Sequence, residues 1–257
     1  MPVTLAVDGA VATITMDIAG RKNALSNDLM GDVGARFLDV QEDTGVRAVI
    51  LTGGGDDFCA GADIKSAQTD TSISASLKRL TVLARMIRGI TLSDKPVIAA
   101  VRGVSVGVGW SLALACDYVI AAEDARFQFA FRHIGLAPDG GAAKLLMQNL
   151  GILKAKQLIY SGRFVSGAEA GALGLASEVL PSDKVLARAR ELAVELAQAP
   201  TLTLAMAKRQ LTAAQNQTLD EALNSECVMQ ALMTRSDDFL EGTTAFREKR
   251  KPAYKGA

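Results

Sequence analysis

Three cysteines, one histidine and no apolar run of 18 residues are what this 257-residue sequence has little of. Each scarcity closes a class of function. Cys59, Cys116 and Cys227 are odd in number, far apart and set in apolar sequence. They predict buried free thiols in a reducing compartment, with neither a disulfide framework nor a C-x-x-C metal site. A Ser-His-Asp triad would have to use His133, and no G-x-S-x-G elbow supports one. His133 is therefore expected as a surface or loop residue outside the chemistry, and the sequence argues against a zinc site of ordinary composition. Nothing in the sequence is long and apolar enough to span a membrane. The start, "MPVTLAVDGAVATITMD", lacks the basic residues and apolar block of a secretory signal, so the expected compartment is the cytoplasm.

Charge of one sign is missing too. The 28 basic residues balance 28 acidic ones, which argues against a surface for nucleic acid. Phosphate-binding signatures are absent as well. There is no G-x-x-x-x-G-K-[ST], and "GVSVGVGWSL" places Leu112 where the third glycine of G-x-G-x-x-G would fall.

What is present is an apolar, regularly patterned chain. Hydrophobic residues make up 49% of it and charged ones 22%, enough to bury a large core. Two β-rich runs flank Asp8-Gly9, a hairpin signal. "RAVILTGGG" and "KPVIAAVRG" are nearly all apolar and end in glycine, as strands covered on both faces do. Between them, Ile73, Leu77, Leu80, Leu83, Ala84 and Ile87 recur at helical spacing over 72–92. Strand, Gly-rich loop and helix thus repeat, which predicts parallel α/β layers. After about residue 140 the chain turns to Ala/Leu-rich helices. The division expected is a core over 1–197 and a C-terminal helical region over 198–257.

Two Gly-rich turns stand out, "ILTGGGDDFCAGADIK" and "IAAVRGVSVGVGWSLALACD". The second runs into a helix starting between Val108 and Ser111, whose first N–H groups lack intrahelical partners. Side by side, such turns could aim two peptide N–H groups at one oxygen. Spacing alone equally allows glycines that only let strands pack closely on helices.

Five segments in order, "FCAGADI", "KPVIAAVRG", "SLALACDYVIAAEDARF", "IGLAPDGG" and "DFLEGTTAFREKRKP", resemble the enoyl-CoA hydratase/isomerase, or crotonase, superfamily nearly end to end. The resemblance implies an α/β spiral of repeated ββα units with a C-terminal helical region that forms trimers, often paired into hexamers. It implies an acyl-CoA thioester substrate, with coenzyme A as part of that substrate and no separate cofactor or metal. The enolate would lie between the amides of Ala62 and Val108. Val108 departs from the glycine common at that position, which an amide donor tolerates.

The same resemblance locates the acids that are missing. Hydratases of the family use two glutamates on one water, and Ser111 and Phe131 stand at those positions. Asp139 falls where isomerase-like members carry a lone acid. A single base suffices to move a double bond from Δ3 to Δ2, taking a proton from the α-carbon and returning it at the γ-carbon. Apolar neighbours such as Phe131 and Trp110 would raise its pKa towards that task. Asp139 could instead cap the helix that follows, stabilising it by about 1 kcal/mol and lowering its pKa. The dehalogenases of the family also need a histidine after the first Gly-rich motif, and 66–92 contains none. The alternatives are thus an isomerase, a hydratase of unusual mechanism, and an acyl-CoA-binding protein without catalysis.

For the rest of the ligand, the resemblance implies CoA phosphate contacts from Arg21, Lys22, Lys65 and the tail residues Lys249 and Lys251. Substrate contacts would come from Ala60, Ile64, Trp110 and Phe131. Asp63 stands beside the CoA and, like Asp117, is read as structural.

Overall fold

The computed structural model describes residues 2–64 and 72–257. Strands β1 (Val3–Asp8) and β2 (Val11–Met16) form the expected antiparallel hairpin, turning at Gly9 with φ 58°. Strands β3 (Ala48–Gly53), β4 (Val97–Val101), β6 (Tyr118–Ala122) and β9 (Glu178–Leu180) extend it as a parallel sheet, in the order β1-β2-β3-β4-β6-β9. Every residue of β3 and β4 is buried, as continuous apolar runs require when both faces are covered. A second sheet of three short strands joins β5 (Val104–Val106), β7 (Arg126–Gln128) and β8 (Phe164–Ser166) in that order. Two sheets wound by one chain, with helices between their strands, are the spiral α/β architecture expected.

Helix α1 (Asn27–Glu42) starts on a Ser26 cap and buries Met30, Val33, Phe37 and Val40. Helix α2 (Ile73–Thr91) crosses it, and its buried positions differ from those the sequence suggests. Leu83, Met86 and Ile90 are inside, whereas Ile73, Leu77 and Leu80 are exposed. Only its C-terminal half packs on α1, where Gly34 and Gly89 admit Met86 and Phe37. The N-terminal half carries no buried residue.

Helix α3 (Val108–Leu114) is buried throughout. Helix α4 (Ala142–Ser161) is broken at Gly151, where the sequence pattern places a stop, and α5 (Gly167–Ala172) starts on its Ser166 cap. Helix α6 (Val185–Gln198) covers the parallel strands through Val185, Ala189, Leu192, Ala193 and Ala197. Beyond it come α7 (Thr201–Ala214), α8 (Leu219–Met233) and α9 (Asp237–Glu248). Helix α8 has no buried residue, and Cys227 on it is exposed. The expectation of three buried thiols therefore fails at Cys227 and holds at the other two. Cys59 and Cys116 are enclosed, and burial pushes the Cys59 thiol up to about 12. No described helix is long and apolar enough to cross a membrane.

Candidate active site

Both Gly-rich turns follow C-terminal ends of parallel strands, and backbone pairing locks one to the other. Cys59 donates its N–H to the Val104 carbonyl at 3.0 Å, and Val106 donates back to the Cys59 carbonyl at 3.0 Å. Gly61 has φ 97°, a conformation side chains resist, and a Cβ there would lie 2.6 Å from the Val106 oxygen. The same Cβ position is 3.8 Å from the Val108 nitrogen, so the turns touch where the two expected amides lie. Leu25 brackets the first turn, donating to the Gly61 carbonyl at 2.7 Å and accepting from Asp63 N–H at 2.9 Å. The Ala62 N–H between them has no backbone acceptor among the described residues, nor has that of Val108 at the start of α3. Gly107 absorbs the positive φ (55°) just before the helix, which leaves Val108 an ordinary conformation. Both N–H groups lie near the point where the two turns meet.

Asp139 belongs to this place. Gly140 next to it is packed so closely that a Cβ would come within 3.1 Å of Val108 Cγ2 and 2.9 Å of Ser111 Cβ. Ser111, fully buried, donates its hydroxyl to the Asp139 carbonyl oxygen at 3.1 Å. The residue at the vacated acid position thus tethers the backbone of the remaining acid, a role its residue type did not announce. Asp139 does not cap α4. Gly141 occupies the cap position without a side-chain bond, because Pro-Asp-Gly-Gly turns with left-handed glycines at 140 and 141. The carboxylate is half-buried, and its Oδ1 is fully buried with no hydrogen-bond partner. Burial pushes the Asp139 carboxyl above the usual carboxylate range, opposed by the charge of Arg79 and a bond to its own backbone. A cap would have shifted it the other way.

The remaining expected residues divide. Phe131 is buried and stacks on Phe129 at 6.1 Å, which in turn stacks on Trp110 at 4.4 Å. Trp110 is wholly enclosed, so it supports the second turn from behind and does not line an open site. Asp63 accepts a 2.6 Å ion pair from Arg21, which ties Arg21 to the protein. Lys22 stands 3.6 Å from Asp57, and its carbonyl accepts from Ala60 N–H at 2.8 Å. Ile64 is exposed, and Lys65 lies outside the described residues. Lys249 is an exposed left-handed residue ending α9, and Lys251 is exposed in the tail. His133 meets the Gly162 carbonyl at 2.9 Å, away from the turns. Asp117 receives Val97 N–H and Lys208, each at 2.8 Å, a structural role. Arg79 is the residue sequence reasoning missed. It lies on α2 one turn before buried Leu83, and a stripe drawn through apolar residues alone passes over it. No group of three metal-ligating side chains occurs among the described residues.

The family described as enoyl-CoA hydratase/isomerase matches residues 6–257. A 1,2-epoxyphenylacetyl-CoA isomerase of Escherichia coli is 34% identical over 97% of each chain. A 2,3-dehydroadipyl-CoA hydratase of the same organism is 33% identical over 96% of this chain and 95% of its own. The crystal structure of an enoyl-CoA hydratase from Bacillus anthracis superposes with a TM-score of 0.95 at 30% identity, covering 100% of both chains. The chain belongs to the enoyl-CoA hydratase/isomerase family, the crotonase superfamily.

Proposed function

We propose that the protein is an enoyl-CoA isomerase that converts 3-enoyl-CoA to 2-enoyl-CoA thioesters, with Asp139 carrying the proton. The observation that supports this reading is the Asp139 carboxylate, half-buried, with one oxygen unpartnered, on a turn whose Gly140 packs against Val108 and Ser111. The thioester oxygen accepts from Ala62 and Val108, which stabilise the dienolate as its negative charge develops. Asp139 removes the α-proton and returns it at the γ-carbon, so acid and base are one group. Burial favours its protonated form and keeps it a usable donor in the second half of the cycle. Ser111 is occupied by the Asp139 backbone and Phe131 has no proton to move, so the two-acid hydration of the family lacks both its groups here. Among relatives, the 1,2-epoxyphenylacetyl-CoA isomerase supports isomerisation, and the 2,3-dehydroadipyl-CoA hydratase makes hydration the reaction to test against.

A trimer, or paired trimers, goes with this reading. Leu219, Leu223, Val228 and Leu232 are exposed on α8, whose faces are otherwise unburied, and light scattering reads the mass. The test of function is conversion of 3-hexenoyl-CoA by wild type and Asp139→Asn. Loss of turnover with retained thioester binding is expected. Equal turnover removes Asp139 from the reaction, and robust hydration of crotonyl-CoA overturns the isomerase reading.

A further inference from the structure

The first turn of α3 packs on two loops at once. Gly109 sits on the first Gly-rich turn, where a Cβ would lie 2.2 Å from the Cys59 carbonyl oxygen. Val108 and Ser111, three residues apart and so on one side of the helix, meet the turn that carries Asp139. A Cβ on Gly140 would come 2.9 Å from Ser111 Cβ, 3.1 Å from Val108 Cγ2 and 3.3 Å from Ser111 Oγ. Only glycine fits there. The two side chains act on the turn in opposite directions. The Ser111 hydroxyl draws it in, donating to the Asp139 carbonyl at 3.1 Å, while the Val108 methyl stops Gly140 from coming closer. That carbonyl also accepts from Ala142 N–H at 3.1 Å, so the peptide after Asp139 is held from two sides. A β-branched side chain keeps one strongly preferred χ1 rotamer in a helix, which makes the stop a rigid one. Val108 is buried, so a smaller residue would leave a void under Gly140.

We propose that the Val108 side chain is a positioning residue for Asp139. It sets how far the acid's turn stands from α3, and thereby where the carboxylate lies relative to the Val108 amide. One residue then carries both a donor for the thioester oxygen and the stop that places the acid. With glycine at 108 the amide would remain and the stop would go, leaving the turn free to settle towards α3. Substrate binding is then kept while proton transfer slows, because the acid is out of line with the carbon it serves. This inference rests on the reading of Asp139 as the proton carrier.

Three variants of the full chain test the proposal, Val108→Ala, Val108→Gly and Val108→Ile. The amide survives in all three, so any loss belongs to the side chain, and circular dichroism checks that each folds. With 3-hexenoyl-CoA, Val108→Ala and Val108→Gly are expected to lower kcat about tenfold with KM nearly unchanged, since a misplacement near 1 Å costs up to about 10²-fold. Val108→Ile keeps both γ-carbons and is expected to keep most of the turnover. A second readout needs no turnover. Carbon NMR of carboxyl-labelled aspartate follows the titration of Asp139, its resonance assigned by its absence in Asp139→Asn. The midpoint is expected to fall in Val108→Ala and Val108→Gly, where the loosened turn lets water reach Oδ1, and to hold in Val108→Ile. Wild-type kcat and midpoint in Val108→Gly overturn the proposal, as does an equal loss of kcat in Val108→Ile. A raised KM with kcat and midpoint unchanged also overturns it, and assigns the side chain to substrate contact. A wild type that does not turn over 3-hexenoyl-CoA overturns the isomerase reading instead. The midpoints then decide alone, a fall that Val108→Ile does not share upholding the stop and no fall overturning it.

Discussion

The turns at 58–64 and 135–141 each carry an aspartate and both pack against Val108 at the start of α3, and the fold treats the two acids oppositely. Asp63 is buried and held by Arg21 at 2.6 Å, in a turn clamped on both sides by Leu25. Asp139 is anchored only through its backbone, by the Ser111 hydroxyl and the following helix, while its carboxylate keeps a buried oxygen without a partner. A buried acid with its bonds satisfied is scaffold, since its charge is already spent on holding the chain together. A buried acid left unsatisfied stores the desolvation that proton transfer can use.

The sharpest break of that contrast is to neutralise each acid in turn. Asp139→Asn is expected to cut turnover of 3-enoyl-CoA by about 10³-fold, within the range for a lost general base, with little change in KM. Asp63→Asn is expected to keep most of the activity and to lose up to about 1 kcal/mol of stability, because water takes over the exposed Arg21. Steady-state kinetics and thermal melts on the two variants separate the roles. Equal kinetic damage from both would dissolve the distinction.

The amides come next. Val108 is the first residue of α3, a position where proline fits a helix, so Val108→Pro deletes one N–H with little harm to the fold. We expect kcat/KM to fall by about 10²-fold, the usual loss for one oxyanion donor, with Tm nearly unchanged. A variant as active as wild type would remove that amide from the site. Smaller again is Ser111→Ala, which releases the Asp139 carbonyl from its 3.1 Å bond. The expected loss is about 1 kcal/mol of stability, with a several-fold lower kcat, because the acid is less well aimed.

Much of this was legible in residues. The continuous apolar runs at 48–53 and 97–101 read directly as covered strands, and Gly-rich turns after them as the place for chemistry. Asp139 was legible only as an ambiguity between cap and base, since Pro-Asp-Gly-Gly serves either. The backbone removes the cap, by putting left-handed glycines at 140 and 141 so that no side chain caps α4. Two things were out of reach. Ser111 looks like a vacancy in sequence, and its bond to residue 139 spans 28 positions that only the fold brings together. The phase of α2 was misjudged because apolar residues run along its N-terminal half too, where Ile73 and Leu77 are exposed.

The last difference between the two acids is in how stability depends on pH. Burial raises the folded-state pKa of Asp139 above its unfolded value. Its protonated form therefore favours the folded chain, an advantage present in full below the unfolded pKa and lost as pH rises through the folded one. At neutral pH the ionised, half-buried group weighs against folding. Asp139→Asn removes that burden, so the variant should melt slightly higher than wild type at pH 7, by the equivalent of about 1 kcal/mol or less. The gap should close as pH falls below the carboxylate range, where wild type is neutral at this position too. Thermal melts of wild type and Asp139→Asn from pH 3 to 8 measure it. A variant less stable than wild type at pH 7 would mean that the Asp139 carboxylate holds the fold as Asp63 does, and the contrast between the two turns would be lost.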